Sequence, residues 1–348
     1  MGWRLKTIVP FSARVHGGTD VRGPAPWDFS TCSNAAGPCP EALAAVRAAD
    51  PTRYPDPSGA AVRQALAALH GVAPARVLLA ASASEFIQRL TAVAARLAPG
   101  PVQVPRHAYG DYAAAAAAWG RDTVCAASRA SGCATLVWHA EPSSPFGRDD
   151  PPPPAPGARP TVLDAVYAPL RLHGCSRWPR AAQEAVFVLH SPNKALGLTG
   201  VRAAYVVAPA AAAFDVPAWC AALERAAPSW PLLAQGEAML RCWATAQVQQ
   251  WVATTRPRLA AWKAHLEGEL AARGWVVEPS VTPFFVAWPP APVRPSMLRA
   301  MRDRGVAVRD ATSFGLRGAW RLSAQPPAAV AALLRALNEL PAIRAARA

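Results

Sequence analysis

The residues with the clearest chemical potential run Ser191-Pro-Asn-Lys194-Ala-Leu-Gly-Leu-Thr-Gly-Val-Arg202. An apolar run, 185–190, precedes them, and another, 203–207, follows. A lysine between two buried strands is unusual, because an ammonium is costly to desolvate. It is more unusual here: of 36 basic residues only Lys6, Lys194 and Lys263 are lysines. A partly desolvated lysine in a cationic setting can lose its proton and attack a carbonyl, which arginine cannot. The plain alternative is a loop lysine whose head reaches water. Three further groups invite the same question. Asp164 ends an apolar run and Tyr167 lies just beyond it; Ser82-Ala83-Ser84-Glu85 opens a helical pattern; Arg321 sits between Trp320 and Leu322. A small-residue turn at a helix N-terminus leaves backbone N–H groups free for an anion, or is simply a well-capped helix. An arginine in a strand alternates away from its apolar neighbours, toward solvent or toward a carboxylate it can grip with two hydrogen bonds.

The elements that must carry these residues follow from hydrophobic periodicity. Segments 76–80, 101–105, 135–139, 161–164, 185–190 and 201–207 read as strands. Helical patterns stand between several of them, including 40–49, a stretch with Ala61, Val62, Leu66 and Leu69, another with Phe86, Ile87, Leu90, Val93 and Leu97, and an Ala-rich run ending near Trp119. Alternation of this kind predicts an α/β fold with a mostly parallel sheet, whose ligands bind at the carboxyl ends of the strands. Asp164, Ser191, Lys194 and the 82–85 turn all fall at strand ends. Residues 1–45 read as an extended N-terminal arm, with His16-Gly17-Gly18, Asp28-Phe-Ser30 and Asn34 in it; 46–232 read as the large domain. Residues 233–348 read as a smaller α+β domain. It has helix over 233–273 with a break at Pro257, strands at 284–288, 306–308 and 320–322, and helices near 295–304 and 327–339.

Composition bounds the function. The 348 residues carry 52% hydrophobic and 17% charged side chains, enough for a sizeable core. The formal charge of +14 comes from scattered arginines without a basic block, which argues for small anionic ligands and against nucleic acid. The seven cysteines form no CxxC pair and no zinc spacing, so no metal is expected and a reducing, cytoplasmic setting is. Residues 1–6 lack the apolar core of a signal peptide, and Lys6 breaks the myristoylation pattern. The longest apolar tract, 203–223, is interrupted by Pro209, Asp215 and Pro217, so no membrane span is expected.

Taken together, these motifs resemble the fold-type I pyridoxal-phosphate enzymes of the aspartate aminotransferase superfamily, over nearly the whole chain. The branch most like it holds histidinol-phosphate aminotransferase and L-threonine-O-3-phosphate decarboxylase. The resemblance implies the PLP-dependent transferase fold, a homodimer and pyridoxal 5'-phosphate as cofactor. Lys194 would form the Schiff base with it, and Ser191, Arg202 and the turn Ser82-Ala83-Ser84 would hold its phosphate. Asp164 would pair with the pyridine nitrogen and Tyr167 with the ring's phenolic oxygen. Tyr109 would stack on the ring, with Tyr112 as the alternative, and Tyr54 would reach the cofactor phosphate of a partner subunit. Arg321 would take a substrate carboxylate, with His16, Gly17 and Asn34 of the arm also on the substrate side. Two features of the arm, His16-Gly17-Gly18 and Asp28-Phe-Ser30…Asn34…Gly37-Pro38, favour the decarboxylase, acting on a phosphorylated amino acid or amine in cobalamin side-chain assembly. The alternatives are a histidinol-phosphate-type aminotransferase and a PLP-fold binding protein without catalysis. Several positions depart from the family pattern. Ser144 stands for the asparagine of Asn-Asn-Pro-Thr-Gly, Ala165 for an acidic residue, and Cys32 for the first asparagine of the arm motif. A short Pro-rich run covers 151–156, and Leu232 and Leu233 lie near a usual polar position.

Overall fold

A computed structural model describes residues 16–125, 132–292 and 294–340. The first fifteen residues of the expected arm and the last eight of the chain lie outside the described residues. The central sheet has seven strands among the described residues. Their spatial order is Val77–Ala80, Ala204–Val207, Phe187–His190, Thr161–Asp164, Leu136–Ala140, Val102–Val104, Thr123–Cys125. The last of these has no counterpart among the strands expected from the sequence. All run parallel except Ala204–Val207, which is antiparallel to both neighbours. This is the mostly parallel α/β sheet that the alternating pattern predicts.

The strands are apolar on both faces because helices cover both. Leu78, Leu136 and Trp138 pack with Phe86, Ile87 and Leu90 of helix Ala83–Leu97 and with Trp219 and Leu223 of helix Val216–Arg225. On the other face Val77, Leu79 and Tyr205 pack with Val62 and Leu66 of helix Ala60–His70 and with Leu240 and Trp243 of helix Ala234–Trp243. Leu78 and Leu79 therefore serve opposite cores, as the two-residue period of a strand requires. Parallel strands bring their carboxyl ends to one edge. The antiparallel strand starts where the others end, so Arg202, just before it, reaches that same edge.

The C-terminal segment adds an antiparallel sheet ordered Arg309–Asp310, Trp320–Ser323, Phe284–Trp288, Val276–Val277. The described part of the arm is tied to this segment: Trp27–Asp28 pairs in parallel with Val306–Ala307. The expected break at Pro257 is corrected. Helix Ala246–Ala271 runs through that proline for 26 residues, and the interruption lies at Ala244 and Thr245 instead. Proline removes one N–H from the ladder. Here the buried stripe Val248, Val252, Thr255, Leu259, Lys263, Leu266, Leu270 continues past it, so packing holds the helix together. The Thr245 hydroxyl caps the long helix by accepting the Val248 N–H at 3.4 Å. Among the described residues no helix is long and apolar enough to cross a membrane.

Candidate active site

Lys194 lies four residues beyond the end of strand Phe187–His190. Its loop is clasped by the arm, since the Asn34 N–H donates to the Lys194 carbonyl at 2.9 Å. The Nζ stands 5.3 Å from the centroid of the Tyr167 ring. Burial lowers the ammonium's pKa; the Asp164 carboxylate opposes this, while the Arg202 and Arg321 cations add to it. The side chain is thus an amine drawn toward its neutral form and surrounded by paired opposing charges.

Asp164 closes strand Thr161–Asp164 and points its carboxylate into the same space. Its Oδ2 accepts the Tyr112 hydroxyl at 2.5 Å, and its Oδ1 accepts the Val166 N–H at 3.0 Å. Burial raises the Asp164 carboxyl, and those two donors hold it back. Tyr112 is itself fixed by stacking on Trp138, with centroids 4.5 Å apart and planes 12° apart. Its neighbour Tyr109 meets it edge-on at 5.9 Å and brings its hydroxyl within 3.1 Å of Ser84 Oγ. Burial pushes the Tyr109 phenol up to about 12, so it stays protonated and can donate.

The 82–85 turn opens helix Ala83–Leu97. Ser82 Oγ is occupied as the helix cap, accepting the Glu85 N–H at 3.0 Å. The first N–H groups of a helix have no partner within it. Those of Ala83 and Ser84 are left facing out of the helix end, beside the Ser84 hydroxyl. Arg202 is exposed, and its field acts on both Tyr109 and Lys194.

Across the site, Arg321 is buried in strand Trp320–Ser323, pointing away from Trp320 and Leu322, which join the C-terminal core. Its Nη1 donates to Ser144 Oγ and its Nη2 to the Ser30 carbonyl, each at 3.2 Å. Its Nε is buried without a partner among the described residues. Arg309 lies directly opposite it in the sheet, and both guanidiniums sit over Phe314, at 4.9 and 5.4 Å. Burial, with Arg321 next to it, brings Arg309 down to about 10.

A lysine amine, a buried carboxylate at a strand end, open backbone donors at a helix start and an incompletely satisfied buried arginine fit a phosphorylated aldehyde cofactor and an anionic substrate. The family model for aminotransferase class I and II matches residues 28–337. The chain belongs to the aminotransferase class I and II family. It is a pyridoxal-phosphate-dependent enzyme of that family. It is 27% identical over 326 residues to histidinol-phosphate aminotransferase 2 of Rhizobium meliloti, covering 87% of this chain and 90% of that one. It is 27% identical over 346 residues to histidinol-phosphate aminotransferase 1 of Burkholderia pseudomallei, covering 90% and 92%. The structure of histidinol-phosphate aminotransferase from Sinorhizobium meliloti in complex with pyridoxal-5'-phosphate superposes with a TM-score of 0.72 at 22% identity, covering 91% of this chain and 90% of that one. L-threonine-O-3-phosphate decarboxylase from Porphyromonas gingivalis gives 0.67 at 19% identity, covering 85% and 91%.

Within this aminotransferase fold, the expected residues divide by location. Lys194, Asp164, Tyr167, Tyr109, Ser84, Ser144 and Arg321 are brought together by pairwise contacts and fields, Tyr109 reaching Asp164 through Tyr112. Ser191 is nearby, with its Oγ turned to Asn193 Oδ1 at 3.0 Å and the Ala203 carbonyl at 3.2 Å. Ser144, expected beside the cofactor ring, holds the Arg321 guanidinium. Asn34, expected on the substrate side, is committed to packing. Its two amide hydrogens go to the Ala195 carbonyl at 3.0 Å and Thr255 Oγ1 at 2.9 Å, and its Oδ1 accepts the Ala36 N–H at 3.1 Å. Gly17 serves close approach to the chain itself, since a Cβ there would fall 2.2 Å from the Ser30 carbonyl oxygen that Arg321 uses. His16 is exposed, its ring 6.0 Å from that of Tyr109. Tyr54 stays on the outer surface, 78% exposed and stacked on Trp230 at 4.3 Å. Sequence reasoning gave no role to Arg309 and none in catalysis to Tyr112. The three-residue spacing from Tyr109 to Tyr112, at the start of helix Gly110–Ala118, was the available signal. Cys32 is buried beside Tyr167; burial pushes its thiol up, against the fields of Arg321 and Lys194.

Proposed function

We propose that the protein transfers an amino group between a phosphorylated amine or amino acid and a 2-oxo acid, in the manner of a histidinol-phosphate aminotransferase. The observation that carries this reading is the Arg321–Arg309 pair. Two buried guanidiniums lie in register, one with an Nε left unpartnered among the described residues. Such a patch suits a phosphate or a carboxylate, because the planar fork of arginine matches both oxyanions. Donor and acceptor substrates could therefore use it in turn. Near-full-length similarity to enzymes named histidinol-phosphate aminotransferase supports the same substrate class.

When bound, pyridoxal phosphate supplies an electron sink for charge left at the substrate carbon. The chain's own groups do the rest. Asp164 would hold the cofactor's ring nitrogen with its carboxylate, whose charged form Tyr112 and the Val166 N–H favour against burial. Lys194, with its pKa lowered, gives and takes the proton at the substrate carbon. Tyr167 stands beside that amine and limits where it can swing. Arg321 sets the substrate's orientation, which decides whether a proton or CO₂ leaves; Arg309, whose Nη groups donate to the Asp310 carbonyl and Ser313 Oγ, adds its positive field behind it. The decarboxylation first expected from the arm is the second reading. Its support is the arm motif, and a decarboxylase of known structure shares the fold.

The deciding experiment incubates the purified enzyme with histidinol phosphate and 2-oxoglutarate, and separately with threonine phosphate alone. Glutamate formation in the first is expected. Release of CO₂ in the second, with no glutamate in the first, would overturn the proposal. We infer further that two copies assemble through the face bearing Tyr54, Trp230 and the exposed Leu233, and that the enzyme works in the cytoplasm, where its free cysteines stay reduced. Sedimentation equilibrium should show a dimer that Trp230→Glu dissociates; a monomeric wild type refutes the assembly.

A further inference from the structure

The 82–85 turn contains an acid that an anion cradle does not obviously want. A cofactor phosphate at the start of helix Ala83–Leu97 is attracted by the free N–H groups and the helix dipole. A carboxylate in the same turn repels it. Glu85 does not face the cradle. Its Oε2 turns back to accept the Ala81 N–H at 3.1 Å, and its Oε1 meets Arg89 Nε at 2.9 Å. The Arg89 side chain, one helical turn on, is 2% exposed. Its Nη2 donates to the Leu79 carbonyl at 2.6 Å and to Glu85 Oε2 at 3.1 Å, and its Nη1 reaches the Leu223 carbonyl at 3.5 Å. The pair thus joins strand Val77–Ala80, the turn, its own helix and the neighbouring helix Val216–Arg225.

Two consequences follow from this arrangement. Fixing the Ala81 N–H sets the angle at which the strand passes into the helix, and so the direction of the Ala83 and Ser84 N–H groups. The Arg89 cation cancels the carboxylate's charge close to where a phosphate dianion would sit. A buried ion pair adds little net stability over an apolar pair of the same shape. Its value here lies in what stands in front of it.

We propose that Glu85 and Arg89 are positioning residues for the cofactor phosphate: Glu85 fixes the turn, and Arg89 neutralises Glu85 so that the turn can hold a dianion. This rests on the reading of the 82–85 turn as the phosphate site. The test measures equilibrium affinity for pyridoxal phosphate and for pyridoxal, which lacks the phosphate, by dialysis and by quenching of tryptophan fluorescence. Wild type, Glu85→Gln, Arg89→Met and the double variant are compared. Arg89→Met should weaken pyridoxal phosphate about 10- to 100-fold and pyridoxal less than about threefold, since an uncompensated charge acts mainly on the charged ligand. Glu85→Gln, which keeps the acceptor and removes the charge, should do less harm. The double variant should recover part of the Arg89→Met loss, because paired charges are not additive. Equal losses for both ligands would mark a merely structural role and overturn the proposal, as would a double variant with no stronger preference for the phosphorylated ligand than Arg89→Met. If Arg89→Met does not fold, Arg89→Gln takes its place in the comparison. A wild type with no preference for the phosphorylated ligand would overturn the reading of the turn itself; a wild type with that preference, kept by every variant, overturns this inference alone.

Discussion

Tyr112 illustrates how a residue of ordinary appearance comes to matter. Its hydroxyl is one of two donors to Asp164, at 2.5 Å. Donation to a carboxylate stabilises the charged form. Tyr112→Phe should therefore raise the Asp164 carboxyl beyond the rise that burial already causes. The charged carboxylate would then be lost at a higher pH as the solution is acidified. The acid limb of kcat/KM should move to higher pH, with activity near neutrality about 10-fold lower; an unmoved limb would show that Asp164 does not need this donor. Ser144 calls for a different measurement. Its Oγ supports Arg321 Nη1 at 3.2 Å, and a hydrogen bond to a charged group contributes about 1.5–3 kcal/mol. Ser144→Ala should raise KM for the 2-oxo acid about 10-fold, with kcat falling less. A lowered kcat at constant KM would point to the cofactor ring instead. Lys194, Asp164, Tyr167 and Arg321 were legible in the sequence because each belongs to a short motif placed at a strand end or within a strand. Tyr112, Arg309 and the packing role of Asn34 were not, because their roles depend on partners 52, 12 and 221 residues away.

At the scale of elements, the central strands were readable from apolar runs, and the helices from spacing. What escaped was decided by contacts between distant segments. Pro257 looks like a breaker in isolation, but a buried stripe on both sides of it keeps helix Ala246–Ala271 continuous. Thr123–Cys125 is three residues long and acquires its strand character by pairing with Val102–Val104. The arm reads as extended, and its pairing partner is what the sequence does not show: Trp27–Asp28 pairs with Val306–Ala307. Asn34 is the clasp that connects these levels. It joins the arm to the Lys194 loop through Ala195 and to the long helix through Thr255. Asn34→Ala would leave a buried carbonyl without this donor, at a cost of about 2 kcal/mol or more. The urea midpoint should fall accordingly, and cofactor affinity should fall with it, because the loop that carries Lys194 loses its side-chain tie at Ala195 and keeps only backbone bonds to the arm. Lower stability with unchanged cofactor affinity would show that the loop holds its shape without this side chain.

Across the molecule, one buried cluster links the sheet to the helices behind the active site. His190 ends the strand that leads to Lys194, and it stacks on Tyr205 of the antiparallel strand at 4.8 Å. His70, at the end of helix Ala60–His70, places its Nε2 2.8 Å from the Tyr205 hydroxyl, which also accepts the Trp243 indole N–H at 3.1 Å. Burial holds both imidazoles neutral: His70 is lowered from 6.5 to about 4, and His190, with His70 beside it, lies well below its ordinary value. In the unfolded chain both take up protons as the pH falls through about 6.5. The folded chain does not do so until about pH 4 for His70, and not until well below pH 6.5 for His190. Between those limits the unfolded state binds more protons, so stability must fall as the pH drops, by up to about 1.4 kcal/mol per pH unit for each histidine. The raised carboxyls of Asp164 and Glu85 act in the opposite sense and moderate the slope. His190→Phe keeps the stacked ring and removes one titrating group. Urea denaturation between pH 7 and 5 should therefore show a shallower loss of stability in the variant than in the wild type. The two curves should converge on acidification even if the variant starts lower. Parallel curves would mean that His190 accepts a proton in the folded protein as readily as in the unfolded chain, and that the cluster behind Lys194 is open to water.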